Sequence, residues 1–145
     1  MAVPTASELN PFPDDLDGQV AQRNFLGKTV EEAAQLFAKQ GGSVEDLMWM
    51  GPRAFVYYLP AALRYLEGAT TDCDEWDVVG ALPGTIAFRL DHEAAEIADA
   101  WSTIDHLCAY VLAHADRLLD EWDRAEVSAR YRDVSARISA LRAGS

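Results

Sequence analysis

Apolar residues recur at helical spacing along most of the chain. Phe55, Leu59, Ala62 and Leu66 follow one another at four, three and four residues, with Val56 and Leu63 widening the stripe. Gly51-Pro52 opens this segment, because proline at a first helical position gives up no hydrogen bond, and Gly68 closes it. Pro60 lies inside, so a kink is expected where its ring meets the carbonyl of Val56. Upstream, Thr29 followed by Glu32 forms a capping box, Leu36 and Phe37 supply an apolar face, and Gly41-Gly42 stop the helix. Ser43 and Asp46 start another short helix before Leu47, Met48 and Trp49.

From Thr85 to Ala143 there is neither glycine nor proline. Ile97, Trp101, Ile104, Cys108, Val111, Ala115 and Leu118 keep a four-three rhythm, which predicts one long helix. A second stripe, Val127, Tyr131, Val134, Ile138 and Leu141, keeps the rhythm but is out of phase with the first. The phase change predicts a break near 120–123, with Asp123 and Glu126 capping a new helix. Trp76, Val79, Leu82, Ile86 and Phe88 suggest a short helix and a turn around Pro83-Gly84, with a strand possible at 85–90 but no second alternating run to pair with it. The expected architecture is all-α: a bundle of about five helices with a kinked central helix and a long C-terminal helical pair.

A length of 145 residues fits one domain. It divides into an extended acidic arm over 1–20, marked by Pro4, Pro11 and Pro13, a helical core over 21–119, and a basic C-terminal helix over 120–143. The net charge is −12, unevenly spread. Residues 1–123 hold 7 basic and 22 acidic residues, a net of −15, and residues 124–145 are net +3. Such a body is a poor ligand for nucleic acid or anionic lipid and attracts a basic protein. The basic helix can dock onto that body, pair with a second copy through residues 127–141, or favour its own dipole. No run is long and apolar enough for a membrane span, and the start of the chain lacks the pattern of a secretory signal, so a cytoplasmic protein with reduced Cys73 and Cys108 is expected.

Candidate chemistry is sparse. His92, His106 and His114 form no metal-binding pattern, and His106 and His114 are offset by about 80° on a helix. No cofactor is implied. Asp99, Ser102 and His106 have the composition of a triad, but side chains stacked along one helix leave no oxyanion donor nearby. Cys108 falls on the apolar stripe, and Cys73 sits between carboxylates that disfavour its thiolate. Two surfaces suit a protein partner. Asp72, Asp74, Glu75 and Asp77 surround Trp76, an aromatic anchor within a charged rim. Arg53, Tyr57 and Arg64 line the second face of the helix that begins at Pro52. The tetrapeptide DEWD occurs at Asp74–Asp77 and again at Asp120–Asp123, a repetition that chance accounts for in a chain with 24 acidic residues.

Asp46-Leu47, Trp49, Gly51-Pro52, Ala54-Phe55 and Tyr58-Leu59-Pro60-Ala61 resemble the signature of a family of small bacterial proteins of unknown function. Phe25, Gly27-Lys28-Thr29 and Glu31-Glu32 are similar as well, so the resemblance covers roughly residues 25–66. Some families of this kind resemble immunity proteins of bacterial polymorphic toxins. The resemblance therefore implies a non-catalytic immunity protein whose partner is a toxin domain with a basic cleft. A structural or adaptor subunit assembling through the C-terminal helix is the alternative, and a small hydrolase using His106, Ser102 or the carboxylates a third.

Overall fold

The computed structural model describes residues 1–68 and 75–144. Among them the chain is all-α, with nine helices and no strand. In order these are α1 (Ala6–Leu9), α2 (Leu16–Phe25), α3 (Val30–Lys39), α4 (Asp46–Trp49), α5 (Pro52–Gly68), α6 (Glu75–Glu93), α7 (Trp101–Ala113), α8 (Ala115–Leu118) and α9 (Arg124–Ala143). Short 3-10 turns at Gly41–Glu45 and Ala98–Ala100 join α3 to α4 and lead into α7. The number exceeds the expected five because several helices are single turns. Helix α5 packs against α1, α3, α4, α6 and α7, while α9 lies on α6 and α7. Phe55, Leu59 and Leu66 are fully buried, and so are Ile97, Ile104 and Val111.

The first twenty residues are not an extended arm. They form α1 and the first half of α2, and Leu9 is fully buried. Thr5 and Glu8 make a capping box: the Glu8 N–H donates to Thr5 Oγ1 at 3.3 Å and the Thr5 N–H to Glu8 Oε1 at 2.9 Å. The predicted box at Thr29 and Glu32 has the same geometry, at 3.2 and 3.1 Å. Accepting these backbone N–H groups holds both glutamates below the usual carboxylate range.

Helix α6 replaces the predicted helix, turn and possible strand, running unbroken through Pro83 and Gly84. Pro83 has no N–H for the carbonyl of Val79, four residues earlier. The hydroxyl of Tyr131, fully buried on α9, donates to that carbonyl at 2.7 Å and takes the missing donor's place. The same burial raises the Tyr131 pKa well above its ordinary value, keeping the hydroxyl protonated as a donor. Tyr131→Phe should therefore cost about 1–3 kcal/mol in urea unfolding, the scale of an unsatisfied buried acceptor. Combined with Pro83→Ala, which restores a backbone N–H, the cost of Tyr131→Phe should shrink. Equal costs in both backgrounds would show that the two residues are not coupled.

The single long helix expected after Thr85 is also corrected. The chain turns at residues 94–97, where the half-buried Trp101 donates its indole N–H to the Ala94 carbonyl at 3.1 Å. It breaks again around His114 and before Arg124. Ile97, Ile104, Cys108, Val111 and Leu118 are nevertheless buried, since turns and helices together keep one face inward. The predicted break at 120–123 is present, but Asp123 does not cap α9 through its side chain. Asp120 Oδ1 instead accepts the N–H groups of Trp122 and Asp123, both at 2.9 Å.

The C-terminal stripe Val127, Tyr131, Val134 and Ile138 is buried in the chain's own core, and Leu141 packs partly buried against it. The apolar side of α9 thus faces the chain's own core. The basic helix docks onto its own acidic body. Arg137 pairs with Asp91 on α6 at 2.6 Å, and Arg142 pairs with Asp105 on α7.

Candidate functional site

The residues carrying the family resemblance are largely structural. Tyr58, fully buried, points its hydroxyl between the carbonyls of Phe25 and Lys28, at 2.8 and 2.7 Å. Its pKa is pushed up to about 12, chiefly by burial, so it remains a donor. Gly27 between those carbonyls has φ +79°, a left-handed conformation that favours glycine. Asp46, buried, accepts from Asn24 Nδ2 at 2.8 Å, and burial raises its pKa. The Gly51 N–H donates to the Glu8 carbonyl at 3.0 Å, tying α5 to α1. These positions lock the N-terminal helices onto α5.

The predicted chemical residues separate in space or fill structural roles. Asp99, Ser102 and His106 are all exposed. Ser102 Oγ accepts from Arg142 Nη2 at 3.4 Å rather than facing a histidine. His92 Nδ1 lies 2.8 Å from the Phe88 carbonyl and His114 Nδ1 2.9 Å from the Tyr110 carbonyl, so with Nδ1 protonated each donates back to the carbonyl four residues earlier. Cys108 is buried and its thiol is pushed up to about 12, mainly by burial. Among the described residues, no group of three His, Cys, Asp or Glu stands close enough to hold a metal ion.

Of the two predicted partner surfaces, the first falls mostly outside the described residues. Asp72, Asp74 and Cys73 lie beyond them, and of Glu75, Trp76 and Asp77 only the helical backbone lies within. On the second, Arg53 pairs with Glu8 at 2.9 Å and Arg64 pairs with Glu31. Tyr57 is half-buried, edge-on to Tyr58 with ring centroids 4.8 Å apart. Both guanidinium groups thus bridge α1 and α3 to α5 in surface ion pairs that stay open to solvent.

A third surface emerges at the second DEWD. Trp122 is 91% exposed, the most exposed of the large apolar side chains among the described residues. Its neighbours are Asp120, Glu121 and Asp123. The two hydrogen bonds to Asp120 Oδ1 fix the turn, so the indole is presented by an ordered backbone rather than a loose loop. Leu118 and Leu119, both buried, anchor the turn from the preceding side, and Arg124 ties it from the following side, donating to the carbonyls of Leu119 and Asp116 at 3.3 and 3.4 Å. An exposed indole inside a carboxylate rim is the arrangement predicted for Trp76. The sequence signal was the repeated tetrapeptide itself, together with the phase break that puts Asp120–Asp123 on the surface.

No family model matches the chain, and neither a curated protein nor a solved structure is significantly similar to it.

Proposed function

We propose that the protein is a non-catalytic binding protein that captures a basic protein partner through its acidic surface, with Trp122 as the anchor. Of the partners with that chemistry, a toxin domain with a basic cleft fits best, which makes the chain an immunity protein acting in the cytoplasm by direct occlusion. The observation that carries the reading is the 91% exposure of Trp122 on a fixed turn among three acidic residues. Carboxylates placed where a toxin's phosphate-bearing substrate would sit supply electrostatic complementarity, and the indole supplies the desolvated contact that slows release. The net charge of −15 over residues 1–123 steers a basic surface towards the turn from a distance. The resemblance of residues 25–66 to small bacterial proteins of unknown function, of a kind that in some families resembles immunity proteins, agrees with this reading.

Affinity capture from lysate of the native host, with bound proteins identified by mass spectrometry, tests this reading. The wild-type chain should retain a basic protein that Trp122→Ala and Glu121→Lys lose. The same retained set for all three baits would contradict it. Co-expression with the captured protein should then rescue growth if that protein is a toxin.

A further inference from the structure

A groove of about 450 Å³ runs beside the Trp122 turn, between α7, α8 and α9. Leu112 and Ala115 on one side and Ala125 and Ser128 on the other form its walls, and Glu121, Arg124 and Arg132 stand at its rim. Trp122 does not fold back into it, because the indole remains 91% exposed. Three groups here lack partners among the described residues. The indole projects into solvent, and Glu121 and Arg132, both exposed, have no hydrogen bond or ion pair among the described residues. Arg124 differs: it is already held by Asp116 and by the turn's carbonyls.

We propose that a second copy of this chain occupies the groove, each copy inserting its Trp122 into the groove of the other about a two-fold axis. An acidic aromatic tip lies directly next to an apolar groove with an unpaired guanidinium at its rim, so the surface is complementary to itself. The two-fold relation is what such a surface requires, since the same patch meets its copy and each contact occurs twice. Glu121 of one copy then reaches Arg132 of the other, and both unmet charges are satisfied at once. Two buried indoles cover about 300–500 Å², well under the roughly 1,200 Å² of a stable interface, so the dimer is weak and reversible. The dimer concerns the isolated chain and stands apart from the proposed function; its one consequence for partner capture, competition for Trp122, rests on that function.

Sedimentation velocity on the full chain tests the proposal at physiological ionic strength, where the screening length is about 8 Å. Between about 10 μM and about 1 mM the weight-average sedimentation coefficient should move from monomer towards dimer, as a weak interface dictates. Trp122→Ala should remain monomeric throughout, and so should the single variants Glu121→Arg and Arg132→Glu. The double variant Glu121→Arg with Arg132→Glu restores complementary charges across the two-fold axis and should regain dimerisation. All three substitutions are on the surface, and unchanged thermal midpoints would show that folding is intact. A wild-type chain monomeric at about 1 mM, a dimer that persists in Trp122→Ala, or a double variant that stays monomeric would each overturn the proposal.

Discussion

Arg89→Ala should destabilise the protein by about 3–5 kcal/mol, the scale of breaking a buried ion pair from one side. Arg89 is only 3% exposed, and its guanidinium reaches the open end of α4. Nε and Nη2 donate to the Leu47 carbonyl at 3.1 and 2.9 Å, Nη2 also bonds the Met50 carbonyl, and Nη1 pairs with Glu93. The guanidinium carbon lies 5.1 Å from the centre of the Phe55 ring. A four-residue helix cannot satisfy its own last carbonyls, so a side chain from α6 does it. Burial lowers the Arg89 pKa, and the hydrogen bond and charge of Glu93 oppose that shift, which keeps the group cationic. Alanine leaves two carbonyls without a donor, one carboxylate without its cation and a void above Phe55. Lysine would not replace the forked donor set. The check is the urea midpoint: a loss under about 1 kcal/mol would mean that water enters and satisfies α4 without help.

Gly51→Ala should cost about 2–4 kcal/mol through overpacking plus a strained or lost hydrogen bond. A Cβ at Gly51 would stand 2.4 Å from the Glu8 carbonyl oxygen, a backbone atom that cannot swing aside. The Gly51 N–H donates to the same oxygen at 3.0 Å, so relieving the clash loosens the bond that ties α5 to α1. Gly42→Ala is the control. Nothing lies within 4 Å of its added Cβ and its φ is not positive, so the change should be neutral or slightly stabilising. If both substitutions had equal effects on the thermal midpoint, α1 would not be docked as described.

These two residues show where local pattern ends. The Thr29 capping box, the start at Pro52 and the break near Asp120 were legible because each depends on neighbours a few residues apart. Arg89 reads locally as a polar residue in an apolar stretch, and its task is set by carbonyls 42 and 39 positions away. Pro83 reads as a helix breaker until Tyr131, 52 residues from the Val79 carbonyl, supplies the donor. The turn at 94–97 stayed hidden because a stretch without glycine or proline can still turn when a tryptophan side chain holds a carbonyl. Helix α1 was readable after all, since Thr5 and Glu8 are spaced as a capping box between prolines, but four residues are too few to show a period. At the site, sequence identified an acidic aromatic motif and selected its first copy. Only solvent exposure, which depends on the path of the whole chain, singled out Trp122.

The proposed function turns on the Trp122 indole, and its most direct test is the kinetics of binding to the basic protein captured from the native host. Association should slow as salt rises past the range where the screening length falls to about 10 Å, because the attraction is long-ranged. Trp122→Ala should chiefly accelerate release, and Glu121→Lys should chiefly slow capture. If association is indifferent to salt and both variants bind and release as the wild type does, the acidic tryptophan turn is not the binding site and the proposed function fails with it.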